Sequence, residues 1–141
     1  MLSNGPGDPS TCTEIISQVR KLYESDLPIF AICLGHQLMA LANGAKTYKL
    51  TYGHRGGNHP VKDLTDGKVY ISSQNHGYAV DAGSMEQGIA EELFFNVNDG
   101  TNEGLRYKGK KIMTVQFHPE ANPGPQDTAW LFDKFIEMVK E

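Results

Sequence analysis

The sequence predicts an α/β domain in which an open mixed sheet is flanked by helices. Three features point there. Helix and strand patterns alternate up to Gly44, and strand patterns cluster from Lys68 to Phe117 with short turns between them. Within the first region, an apolar run, Pro28-Ile29-Phe30-Ala31-Ile32, leads through Cys33-Leu34-Gly35 into a helical pattern. At 141 residues the chain fits one domain with one buried core.

Taken in order, Met1 to Ser10 is a loop stiffened by Pro6 and Pro9 and loosened by Gly5 and Gly7. Ser10, Thr11 or Thr13 then caps a helix to about Glu24, with Ile15, Ile16, Val19 and Leu22 on one face. A strand over 28–32 follows, then a helix that stops near Asn43-Gly44. Residues 45–49 read as a short strand. Residues 52–60 (Tyr-Gly-His-Arg-Gly-Gly-Asn-His-Pro) are too rich in glycine to suggest regular structure.

Alternation over 68–73 predicts a strand that opens into a polar loop, Gln74-Asn75-His76-Gly77-Tyr78. Residues 82–88 read as a surface loop, 93–97 as a strand, and 98–100 as a turn. Residues 104–107 and 111–117 read as paired strands around Lys108-Gly109-Lys110, the second ending in His118-Pro119-Glu120. A loop over 121–126 precedes a last helix, opened by Asp127 or Thr128 and running to about Lys140.

Composition narrows the function. Hydrophobic residues make up 39%, charged residues 21%, and the formal charge is -4, so nothing favours nucleic acid or an anionic membrane as partner. No apolar run approaches the length of a membrane span and no signal peptide is evident, which predicts the cytoplasm. Two cysteines in that setting predict free thiols. The five histidines are scattered, and His54 and His59 match no metal spacing, so no metal site is expected.

Cys33 is the candidate nucleophile. It stands between an apolar strand and a helix N-terminus, where the macrodipole favours a thiolate. Small residues at Ala31 and Gly35 permit a cramped strand-to-helix turn. A buried structural cysteine is the plainer alternative. His118, at a strand end, is the candidate base, and Glu120 is placed to orient its ring. Oxyanion donors could come from the backbone of the Gly5-Pro6-Gly7 loop and from the N–H of Leu34. Gln37, one helical turn past Cys33, and the loop over 74–78 could read a substrate.

Four stretches together carry a family resemblance: Ser3-Asn4-Gly5-Pro6-Gly7-Asp8-Pro9, Ile32-Cys33-Leu34-Gly35-His36-Gln37, Ser73-Gln74-Asn75-His76-Gly77 and Phe117-His118-Pro119-Glu120. The chain resembles the class I (triad) glutamine amidotransferases, whose fold is flavodoxin-like. Residues 53–60, 74–81 and 119–125 are similar to stretches typical of the branch formed by the small subunits of carbamoyl-phosphate synthase. The resemblance implies glutamine hydrolysis by a triad of Cys33, His118 and Glu120. It implies an oxyanion hole at Gly7 and Leu34, and glutamine contacts from Gly5, Gly7, Leu34, Gln37, Asn75, Gly77 and Tyr78. The implied partners are L-glutamine and the large synthetase subunit. That subunit would take ammonia through a tunnel to make carbamoyl phosphate for arginine and pyrimidine synthesis. ATP and metal would belong to it, and no cofactor is expected in this chain. Nothing here resembles a P-loop.

Two departures qualify the expectation. Ala31 stands where the family usually has glycine. Only Met1-Leu2 precede Ser3, so an N-terminally truncated domain is expected, with exposed sheet edges inviting self-association. A non-catalytic interaction module, or another cysteine amidohydrolase of the same architecture, stays open at the level of sequence.

Overall fold

Alternation along the strands sorts the apolar residues onto the two faces of a sheet. In β1 (Ile29–Ile32), Ile29 and Ala31 face one core, while Phe30 and Ile32 face another. All four are buried, as expected of a strand covered on both sides. The first core takes in Val19 of α1 (Thr13–Glu24) and Leu38, Met39 and Ala40 of α2 (Leu34–Ala42). The second takes in Leu131 of α3 (Trp130–Lys140), with Phe132 and Phe135 packed on it. Helices α1 and α2 therefore cover one face and α3 the other. The computed structural model describes residues 1–2, 8–119 and 130–140.

The remaining strands are β2 (Lys46–Asp63), β3 (Val69–Asp81), β4 (Ala90–Asn96), β5 (Asn102–Tyr107) and β6 (Ile112–Val115). They form one six-stranded sheet in the order β1-β6-β5-β4-β2-β3. β1 and β6 are parallel, with Ile32 opposite Val115, and every other pairing is antiparallel. Leu2 lies on the far side of β1, in a parallel bridge with Ala31. Its N–H donates to the Phe30 carbonyl (2.9 Å) and its carbonyl accepts from the Ile32 N–H (2.9 Å). Ala31 is fully buried between Leu2 and Thr114, which leaves its methyl little room to grow.

The structure departs from the sequence expectation at three places. Residues 52–60 are not irregular; they belong to the long strand β2. Glycine bends that strand without ending it. Register shifts fall between Lys49 and His54 and between Gly56 and His59, and Gly53 (φ 72°) and Gly56 (φ 107°) take left-handed conformations there. A Cβ on Gly53 would come within 2.8 Å of the His76 carbonyl.

Residues 74–78 are not a loop either; they continue β3. Ser72, Gln74 and His76 are buried while Asn75 is exposed. The period is two, but the inward residues are polar, so hydropathy does not reveal it. The third departure is at α1. Its N-cap is Cys12, which makes no side-chain capping bond, while Asp8 caps the short 3-10 turn Pro9–Thr11 by accepting from the Ser10 N–H (2.9 Å). The expected helix start at Asp127 or Thr128 lies outside the described residues.

Candidate active site

A parallel strand pair delivers two polar residues to one sheet end. β1 and β6 finish side by side at Ile32 and Val115, and the Cys33 N–H donates to the Val115 carbonyl (2.8 Å). Three residues past Val115 stands His118, whose N–H donates to the Ser73 carbonyl of β3 (2.8 Å). The candidate nucleophile and base thus leave adjacent strands at the same end, although 85 positions separate them.

Cys33 has φ 54° and ψ −106°, a combination that L-residues rarely adopt. Such a conformation costs about 1–3 kcal/mol and persists only where its surroundings enforce it. Three contacts enforce it here: the bond to Val115, the start of α2 at Leu34, and the Cys33 carbonyl accepting from the Gln37 N–H (3.1 Å). Gly35 permits the close packing. A Cβ there would sit 2.8 Å from both the Cβ and the carbonyl oxygen of Leu2. Leu34 opens the helix, and first-turn amides have no acceptor within their own helix.

Side chains complete a hydrogen-bonded chain around the sulfur. Gln116 Nε2 donates to Cys33 Sγ (3.5 Å), and its Oε1 accepts from Gln37 Nε2 (2.9 Å). Gln37 Nε2 also donates to the Tyr78 carbonyl (2.9 Å). Amide donors aimed at the sulfur favour the thiolate over the thiol. Gln116 was missed in the sequence. The signal that would have found it is period two: Thr114, Gln116 and His118 put polar groups at every second position of an otherwise apolar run.

Of the expected site residues, Cys33, Leu34, Gln37, Tyr78 and His118 are gathered by these bonds and strand ends. Asn75 and Gly77 lie on β3, in the hairpin with β2, where Asn75 is exposed opposite Arg55. Gly5, Gly7 and Glu120 lie outside the described residues.

His36, in the first turn of α2, is fully buried against β6. Thr114 Oγ1 donates to the Leu105 carbonyl (3.4 Å) and lies 2.8 Å from His36 Nδ1, so it accepts the Nδ1 hydrogen. That leaves Nε2 unprotonated, buried and without a hydrogen-bond partner among the described residues. Burial, with His76 nearby, lowers its pKa from 6.5 to about 3. The unfolded chain therefore binds a proton here that the folded chain refuses, and stability falls as pH drops from 6.5 toward 3. The expected loss approaches about 1.4 kcal/mol per pH unit in that window. Urea unfolding at a series of pH values checks it: His36→Asn should show a flatter dependence than wild type.

Comparisons with known proteins add matches in sequence and in fold. Residues 1–138 match the family model described as glutamine amidotransferase class-I. A carbamoyl phosphate synthase small chain from Brucella anthropi is 55% identical over 141 residues, covering 99% of this chain and 34% of the relative. A carbamoyl phosphate synthase arginine-specific small chain from Debaryomyces hansenii is 54% identical, covering 99% of this chain and 33% of the relative. The chain thus spans about a third of the length of these curated relatives. Among solved structures, a glutamine amidotransferase from Thermotoga maritima superposes with a TM-score of 0.69 at 21% identity, covering 97% of this chain and 61% of that one.

Proposed function

Because the chain belongs to the class-I glutamine amidotransferase family, we propose that it is the glutamine-hydrolysing part of a carbamoyl phosphate synthase small chain. The observation that carries this is Cys33, held at positive φ at the mouth of α2 with Gln116 donating to its sulfur. Relatives named as carbamoyl phosphate synthase small chains, one of them arginine-specific, support the narrower assignment.

In this reading the Cys33 thiolate attacks the side-chain carboxamide carbon of glutamine. The carbonyl oxygen becomes an oxyanion and takes hydrogen bonds from the Leu34 N–H and the Gly7 backbone. His118, oriented by Glu120, protonates the amine; the C–N bond breaks, ammonia leaves, and a γ-glutamyl thioester remains. His118 then takes a proton from water, whose oxygen attacks the thioester, and glutamate leaves as the Cys33 thiolate re-forms. Gln37, Asn75, Gly77, Tyr78 and Gly5 help to hold the substrate. Ammonia passes to a synthetase subunit that carries ATP and its metal, serving arginine or pyrimidine synthesis in the cytoplasm. Exposed sheet edges would let copies of this chain associate.

A glutamine-directed chloroketone tests the nucleophile. Peptide mapping should find the adduct on Cys33, and excess glutamine should suppress it. Equal labelling of the half-buried Cys12, or no protection by glutamine, would overturn the assignment.

A further inference from the structure

A second polar cluster lies among β2, β3 and β5. His54 and His76 face each other across the β2–β3 hairpin, and Glu103, from β5, is fully buried beside them. His76 Nδ1 lies 2.7 Å from the Tyr78 carbonyl, and His54 Nε2 lies 2.6 Å from Asp99 Oδ2. A carbonyl only accepts and an ionised carboxylate only accepts, so those two ring nitrogens carry the hydrogens. The neutral rings therefore turn lone pairs inward, at His54 Nδ1 and His76 Nε2, only 3.1 Å apart.

Further acceptors join them. Gln74 spends its amide hydrogens on Glu103 Oε2 and Ser72 Oγ (3.0 Å), which leaves its Oε1 2.9 Å from His76 Nε2. Glu103 Oε1 lies 3.8 Å from each of the two imidazole nitrogens and has no hydrogen-bond partner among the described residues. A protonated Glu103 does not resolve the conflict, because 3.8 Å is beyond hydrogen-bond reach. Buried acceptors converging in this way need a positive centre between them.

The distances suit one. A point equidistant from His54 Nδ1, His76 Nε2 and Glu103 Oε1 lies about 2.1 Å from each, the length of a zinc–imidazole or zinc–carboxylate bond. The outer hydrogen bonds to Asp99 and Tyr78 fix ring orientation and tautomer, as partners of ligating histidines do. We propose that His54, His76 and Glu103 form a binding site for a divalent first-row metal ion. The mixed nitrogen and oxygen donors favour zinc, and Gln74 Oε1 is placed to approach as a further ligand.

The ion would be structural, since all three ligands are buried, and it would clasp three strands. It would also steady the active site. The Tyr78 carbonyl that orients His76 accepts from Gln37 as well, and Gln37 is bonded to Gln116 beside Cys33. The proposal is independent of the glutaminase reading.

Metal analysis and cobalt titration of the chain test it. Protein purified without chelator should carry about one zinc per chain. After zinc removal, Co(II) should bind with the same stoichiometry and give a ligand-field absorption band that zinc abolishes. Glu103→Gln should weaken Co(II) binding at least 100-fold. Asp99→Asn alters a half-exposed second partner with little risk to folding, and should weaken binding about 10- to 100-fold. If folded wild type binds neither ion, the centre is a proton shared between the rings and the proposal fails. Unchanged affinity in folded Asp99→Asn and Glu103→Gln would also overturn it, because the metal would then sit elsewhere.

Discussion

Cys33→Ala should lower glutamine hydrolysis at least about 10⁴-fold, as loss of a triad nucleophile does. Steady-state glutamate release, measured alongside circular dichroism to verify folding, reads the effect. The same position carries a second, opposite expectation. Cys33 holds φ 54° and ψ −106°, which alanine tolerates no better than cysteine does and glycine tolerates readily. Cys33→Gly should be as inactive as Cys33→Ala, yet about 1 kcal/mol more stable in urea unfolding. That pair of outcomes would show strain maintained for the sake of the nucleophile. Equal stability of the two variants would mean that the turn is relaxed, and a retained turnover in either would remove Cys33 from the chemistry.

Gly35→Ala is the other change with a large expected effect. Its Cβ would meet Leu2 at 2.8 Å twice, once at Cβ and once at the carbonyl oxygen. That carbonyl is bonded to the Ile32 N–H, so Leu2 cannot retreat without loosening β1 just before the nucleophile. Overpacking of this kind costs about 1–3 kcal/mol. Displacing Cys33 by about 1 Å would cost a further 10²-fold in turnover. Two readouts separate the effects: the midpoint of urea unfolding reports the first, and kcat relative to wild type reports the second. Leu2→Gly removes one of the two clashes, so the double variant should recover part of the stability. No change in either readout for Gly35→Ala would mean that the contact yields freely.

The elbow was legible because its requirements are local. Apolar β1, small residues at 31 and 35, and a helical pattern beginning at His36 all fall within a dozen residues. His118 was legible too, since a polar residue closing an apolar strand is visible in the hydropathy pattern. The polar interior of the β2–β3 hairpin was not. Ser72, Gln74 and His76 alternate as a buried strand should, but the residues that point inward are polar, and their partners lie partly on other strands: Ser72 Oγ donates to the His59 carbonyl of β2 and Gln74 Nε2 to Glu103 of β5. A glycine-rich, polar run looks like a loop until its partners are known.

What the sequence determined by itself was the α/β class, the strand-to-helix turn at Cys33, and the family. Each depends on neighbours within one element or on a motif of contiguous residues. Tertiary structure decided everything that couples distant strands. It brought Gln116 to the sulfur and buried His36 against Thr114. It also drew His54, His76 and Glu103 together, residues 22 and 27 positions apart in the chain. The physical reason is the same in each case. Strand pairing sets spatial proximity by register and not by sequence distance, and a buried polar side chain has meaning only once the atom it bonds to is in place.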